Sequence, residues 1–288
     1  MHVVVWTGSP CPHKFDAVAC PVCRGDGNSG RPEALAPAEA VAETFEKLRD
    51  AGATQLTLTD GDLLLRREAL ELLQHAKTLG FSQITLHSQG PVLAQPGVAQ
   101  AALRAGADRM ATALYGDTSQ AHDYIAGIPG HFQRSLLGFK RAHAAGAQTL
   151  LLAPILRPTY RNLPQLIQKS IPLGISGVVC SAPLGQDRAP HPLTVPLPLV
   201  SLALHAAVQV AQAGRLQVRV VDVPLCILPL DGPVLDHDDR ADAVKSREEQ
   251  YAFGKPCLTC PARPTCRGLG LQAVQRHGWV GIEPAIPK

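Results

Sequence analysis

The feature that most constrains this chain is a unit that recurs through its first 180 residues. A stretch with helical apolar spacing ends in Gly, and a short apolar run follows at once. The junctions are Asp50-Ala51-Gly52-Ala53 before Gln55–Thr59, Leu79-Gly80-Phe81 before Gln83–His87, and Ala105-Gly106-Ala107 before Arg109–Tyr115. Two more follow, Ala145-Gly146-Ala147 before Thr149–Pro154 and Leu173-Gly174-Ile175 before Gly177–Cys180. Gly suits the left-handed residue that closes a helix, and a continuous apolar run suits a strand buried on both faces. The segments Ala38–Asp50, Arg66–Leu79, Gly97–Ala105, His131–Ala145 and Leu163–Ser170 carry the helical period. With Val3–Trp6 as the first strand, the pattern predicts six β/α units. Parallel pairing with right-handed crossovers then gives an α/β fold, a partial (β/α)6 TIM-type barrel. A flat doubly wound sheet is the alternative, but no G-x-G-x-x-G follows the first strand.

Beyond Ala182 the texture changes. Pro183, Pro190, Pro192, Pro196 and Pro198 mark a linker, followed by a predicted helix over Leu199–Ala213 and a strand over Gln217–Val223. We divide the chain into a barrel (1–182), a linker, helix and strand packing on it (183–225), and a small cysteine-rich C-terminal extension (226–288) with a short helix near Leu269–His277. The acidic run Asp236-His237-Asp238-Asp239 reads as a solvated loop.

Composition narrows the function. The net charge of +3 is too small to argue for nucleic acid or an anionic membrane surface, so no nucleic-acid partner is expected, and no apolar run approaches the ~20 residues of a membrane span. The start of the chain lacks a signal-peptide pattern, so a cytoplasmic protein is expected. Eight cysteines fall as a trio (11, 20, 23), two isolated residues (180, 226) and a second trio (257, 260, 266). A chain this long needs no disulfide framework, so clustered cysteines point to metal.

In parallel α/β folds, functional groups gather where strands end. Here Cys11, Cys20 and Cys23 follow the first strand, and Thr59-Asp60-Gly61-Asp62 the second. The next ends carry His87-Ser88-Gln89-Gly90, then Tyr115-Gly116-Asp117, then Arg157, Tyr160 and Arg161, and finally Cys180-Ser181. Three thiolates in one loop are one short of a closed zinc site, yet they can hold a cubane iron–sulfur cluster with one iron open. Both readings stand on the trio alone. Single residues have two readings each. Cys180 is a buried apolar group or a substrate-contacting thiol. His122-Asp123 is an acid–base pair or a cap for the helix that follows. Arg157, Tyr160 and Arg161 grip a substrate anion or form a solvated loop, and His87 is a satisfied rim histidine.

The cysteine trio ending in Cys-x-x-Cys and the acidic glycine turn after the second strand resemble the radical S-adenosylmethionine (SAM) enzymes. So do Leu114-Tyr115-Gly116 with His122-Asp123, Gly127, Pro129-Gly130 and Phe132, and Asn162-Leu163. The resemblance covers residues 3–180. It implies that Cys11, Cys20 and Cys23 hold a 4Fe–4S cluster whose open iron is chelated by SAM. It implies further that Thr59, Asp60, Gly61, Asp62, Ser88 and Gln89 face the methionine moiety. The chain departs from the family in two places. Eight residues separate Cys11 from Cys20 where three are commonest, and Asp60-Gly61-Asp62-Leu63 stands where Gly-Gly-Glu-Pro is usual. Cys257-x2-Cys260-x5-Cys266 is similar to the SPASM and twitch extensions of the same enzymes, which hold auxiliary clusters. Gly270 replaces the next cysteine of a full SPASM core, so one auxiliary cluster is expected, with Cys226 as its fourth ligand. A structural zinc site on the same four cysteines is the alternative.

These residues lead to an expectation of an enzyme that reductively cleaves SAM and abstracts hydrogen from a peptide or a small-molecule or cofactor precursor. A flavodoxin or ferredoxin would supply the electron. Because the first strand begins at Val3, no leader-binding domain is expected. The alternative from another class is a non-catalytic metal-bound partner protein with a degenerate form of this fold. A metal-dependent hydrolase has little support, since only His87 stands at a strand end.

Overall fold

The computed structural model describes residues 1–7, 36–59, 61–182, 193–221, 223–228, 251–264, 266, 268–270, 274–275 and 278–279, the side chains of Trp6 and Tyr251 excepted. Seven parallel strands form one sheet in simple sequence order: β1 (His2–Trp6), β2 (Gln55–Thr59), β3 (Gln83–His87), β4 (Arg109–Ala113), β5 (Gln148–Pro154), β6 (Ile175–Ser181) and β7 (Gln217–Val221). The sheet curls into a half-barrel. Helices α1 (Ala38–Asp50), α2 (Ala69–Thr78), α3 (Gly90–Leu93), α4 (Val98–Arg104), α5 (Ser119–Ala126), α6 (His131–Ala144), α7 (Leu163–Ser170) and α8 (Leu197–Ala213) connect the strands.

The β/α units expected from sequence are all present, and the glycines that close them are left-handed, as at Gly52 (φ +90°) and Gly174 (φ +77°). A seventh strand extends the predicted six. β7, which the sequence reading assigns to a segment packing on the barrel, pairs with β6 from Gly177↔Gln217 to Ser181↔Val221. The reason is burial: Val218 and Val220 are apolar on the helix side and complete a core with Val178, Leu204 and Val208. A second core lies under β1–β4, where Leu56, Leu58, Ile84 and Leu86 meet Phe45 and Leu73.

The short helix predicted near Leu269–His277 is present at 274–275 but does not begin at Leu269. Leu269–Gly270 is a strand, β9, paired antiparallel with β8 (Tyr251–Ala252), where a helix was expected to begin. Leu269 is 1% exposed, and the strand pairing seats its side chain in the β5–β7 core. Among the described residues no helix is long and apolar enough to cross a membrane.

Candidate functional site

The loop carrying Cys11, Cys20 and Cys23 leaves from the C-terminal end of β1; those three residues and Asp60 lie outside the described residues. The flanks of that loop are fixed. Arg66 donates from Nη1 to the Thr7 carbonyl (3.1 Å) and from Nη2 to the Ala36 carbonyl (2.6 Å), clamping the residues on either side of segment 8–35. The Arg66 side chain is only 5% exposed. Thr7 is tied to β2 as well, its amide and hydroxyl both donating to the Thr59 carbonyl. Sequence reasoning missed Arg66, whose neighbours Leu63–Leu65 give no hint of a contact 59 residues back.

The turns after β2 and β3 are joined through one carboxylate. Asp62 Oδ2 accepts from Ser88 Oγ (2.8 Å) and the Gln89 amide (2.7 Å), while Oδ1 accepts from the Leu64 amide (3.1 Å) and caps the short turn Leu63–Leu65. Asp62 is fully buried. Burial outweighs these three donors and pushes its carboxyl up to about 6. Beside it, Thr59 Oγ1 lies 3.1 Å from His87 Nδ1, and Gly61 takes a left-handed φ of +73°. The structure therefore gathers Thr59, Gly61, Asp62, Ser88 and Gln89 at one edge of the sheet. Gly90 is there for packing: a Cβ on it would stand 2.3 Å from the Ser135 Cα, so it lets α3 press against α6.

The residues beyond β4 do not join this group. His122 is wholly buried, its Nδ1 accepting from the Tyr115 amide (3.1 Å) and its Nε2 lying 2.8 Å from His131 Nδ1. Asp123 turns the other way and caps α6, accepting from the amides of Gly130 and Phe132 (both 2.7 Å). The two side chains thus have separate tasks. Asp117 accepts from Lys169 Nζ (2.8 Å) and Asn162 Nδ2 (3.1 Å), which lowers its carboxyl despite burial. The Tyr160 hydroxyl accepts from Arg161 Nε (3.0 Å), and Arg157 is exposed. Cys180 packs on the helix side of β6, fully buried, and desolvation pushes its thiol up to about 12.

A second site forms at the other end of the chain. Cys226, Cys257, Cys260 and Cys266 line one open pocket together with Pro224, Phe253 and Leu269. The guanidinium carbon of Arg263 lies over the Phe253 ring, 5.4 Å from its centroid. Burial first, then the neighbouring thiols at 266, 257 and 260, push the Cys226 thiol up to about 11. Residues 226 and 257, 31 positions apart in sequence, are brought together because Leu225 and Ile227 insert into the core beneath β7.

No family model matches the chain. Among curated proteins it is 26% identical over 121 residues to the AdoMet-dependent heme synthase of Methanosarcina barkeri, covering 42% of this chain and 34% of that protein. It is 26% identical over 148 residues to a protein named probable GTP 3′,8-cyclase from Sulfurisphaera tokodaii, covering 51% of this chain and 45% of the relative. The chain spans less than half the length of these curated relatives. Among solved structures, anSMEcpe with bound AdoMet superposes with a TM-score of 0.62 at 10% identity, over 99% of this chain and 94% of that one. SuiB of Streptococcus suis bound to its precursor peptide SuiA gives 0.61 at 13%, over 76% and 48%. At these identities both structural likenesses are of fold. The likeness is to radical SAM enzymes, in sequence over about half of the chain and in fold over most of it.

This likeness gives the sheet edge a test of fit. Buried polar atoms in folded proteins are nearly always paired. Gln89 Oε1 is buried and has no hydrogen-bond partner among the described residues, although its backbone amide is held by Asp62. An amide oxygen in that position is an acceptor for a donor from outside the protein, such as the ammonium of a radical SAM cofactor. The residues present fit the group.

Proposed function

We propose that this chain holds a 4Fe–4S cluster on Cys11, Cys20 and Cys23 and binds SAM against the edge built by Thr59, Asp60, Gly61, Asp62, Ser88 and Gln89. The observation that carries the reading is the unpaired, buried Gln89 oxygen beside the Asp62–Ser88 link, at the strand edge where the clamped loop departs. When bound and reduced, the cluster supplies the electron that cleaves SAM and so begins hydrogen abstraction from substrate. The chain's own residues position and exclude water. Asp62 locks two turns together, and Arg66 fixes both flanks of the cluster loop. Heme synthesis and GTP cyclisation, for which the curated relatives are named, favour a small-molecule or cofactor precursor over a peptide. A small redox protein of flavodoxin or ferredoxin type supplies the electron, in a reducing, cytoplasmic setting.

The pocket formed by Cys226, Cys257, Cys260 and Cys266 holds a second, auxiliary cluster of SPASM/twitch type. Four thiolates would close every iron position, so this site carries electrons or braces the fold. A structural zinc ion on the same four thiols is the alternative. Changing Cys260→Ala tests the assignment. Bound iron should fall by about half while the Cys11–Cys23 cluster keeps its absorption. Unchanged iron, or stoichiometric zinc in the wild-type chain, would contradict it.

One observation favours a second reading, a non-catalytic metal-bound partner protein. Asp62 already accepts three hydrogen bonds within the protein, leaving about one acceptor position for a ligand. Iron binding without SAM cleavage is its signature.

A further inference from the structure

The four-cysteine pocket opens within a stretch of chain that carries one sign of charge. Residues 251–282 contain Lys255, Arg263, Arg267 and Arg276 and no Asp or Glu, whereas the whole chain nearly balances 27 cations against 24 anions. The thiols reach the surface there, for Cys226, Cys257, Cys260 and Cys266 are all partly exposed. Two large apolar side chains stand beside them, Phe253 at 43% and Leu258 at 68% exposed. A single exposed apolar residue is ordinary on a folded protein. Here two of them flank one thiol pocket, and each is held next to a cation.

Local geometry makes both pairings. Residues Lys255–Cys257 form a single 3-10 turn, and the Leu258 amide donates to the Lys255 carbonyl (3.2 Å). Side chains three apart in such a turn eclipse, so Lys255 and Leu258 face the same way, and both are exposed. Pro256 and Cys257, which lie between them, line the pocket. On the other flank the Arg263 guanidinium rests over the Phe253 ring, and these two residues line the same pocket. That contact fixes the guanidinium against apolar surface while leaving its charge intact.

We propose that the face formed by Phe253, Lys255, Leu258 and Arg263 docks an acidic one-electron carrier protein. The occupant follows from the charge of the face and from what lies beneath it. An anionic partner meets cations here and no carboxylate of residues 251–282. Four thiolates leave a bound group no open coordination position, so electrons are what this surface can exchange. Redox encounters bury little area and are steered by charge, which matches two cations set beside two apolar contacts. One electron leaves the reduced carrier and one arrives at the group held by the thiols; no bond forms or breaks and no proton moves. That the electron serves SAM cleavage rests on the function proposed above, whereas docking rests on this surface.

Titration calorimetry of an acidic flavodoxin into the anaerobically reconstituted chain provides the test. The flavodoxin should bind, about 10-fold more weakly when salt is raised from about 50 to 300 mM. Lys255→Glu and Arg263→Glu should each weaken binding about 10-fold, while Lys47→Glu, an equal change of charge on α1, should leave it unchanged. Circular dichroism and iron content are checked in each variant, and Lys255→Glu decides if Arg263→Glu loses iron. The rate of 5′-deoxyadenosine formation with reduced flavodoxin should fall in the same two variants. With reduced methyl viologen, which needs no docking, it should not. No binding by the wild-type chain, affinity unchanged in Lys255→Glu, or an equal loss in Lys47→Glu would overturn the face. Tighter binding to phosphatidylserine vesicles than to flavodoxin would overturn it too, in favour of a membrane surface. Charge-dependent binding with no 5′-deoxyadenosine from either reductant would uphold the docking face and contradict the functional reading, so the two failures are told apart.

Discussion

Asp62 and His131 are buried titratable residues whose effects on stability run in opposite directions. The folded chain holds the Asp62 proton up to about pH 6, against 3.8 for an ordinary aspartate. Its contribution is therefore present at low pH and is lost as pH rises through 6, by about 3 kcal/mol in all. His131 is held down to about 4, by burial first and then by Arg134, so its contribution is present above 6.5 and is lost as pH falls towards 4. The two offset one another between pH 4 and 6.5. Relative to wild type, Asp62→Asn should become progressively more stable as pH rises through this window, and His131→Gln progressively less. Urea unfolding at pH 4.5 and 7 checks this, and profiles parallel to wild type would contradict it. Arg66 offers a second residue-scale prediction. Met in its place keeps volume but removes donors to Thr7 and Ala36, at a cost of about 2–3 kcal/mol. Arg66→Met should lower the melting temperature and speed proteolytic cutting within 8–35; unchanged cutting would show the clamp to be idle.

At the scale of elements, the shortest helix depends on the closest packing. A Cβ on Gly138 would stand 2.2 Å from the Gly90 carbonyl oxygen, so Ala at this position has to push α3 off α6. Overpacking of this kind costs about 1–3 kcal/mol. Because α3 begins one residue after Gln89, Gly138→Ala should also weaken SAM binding, and Ala at position 90 should do the same from the opposite side. Denaturation midpoints and SAM affinity read the two effects; a stable variant with full affinity would show that α3 is not tied to the edge. The elements themselves were legible in sequence because each helix closes on Gly and each strand is a short apolar run. β7 was legible as a strand but not as a member of the sheet, because the proline-rich stretch before α8 hides its continuity with the repeat. β9 was misread because Gly268-Leu269-Gly270 has no period long enough to distinguish helix from strand.

For the whole molecule, the half-barrel sets one functional edge along the ends of its strands, with the four-cysteine pocket beyond the last of them. The strand-end residues were legible because a parallel sheet delivers its C-terminal ends to one rim. Their linkages were not. Asp62–Ser88 and Arg66–Thr7 join residues 26 and 59 apart, and no local pattern specifies such pairs. The resemblance to auxiliary-cluster extensions singled out Cys226 as a partner for the second trio, and the two line one pocket. The central claim is that this edge and the first three cysteines together cleave SAM. The most direct measurement is 5′-deoxyadenosine formed on reduction by the anaerobically reconstituted chain, with iron counted in the same sample. The account predicts about seven to eight irons per chain and steady 5′-deoxyadenosine formation that Cys20→Ala abolishes. Iron bound without any 5′-deoxyadenosine, or formation undiminished in Cys20→Ala, would contradict it.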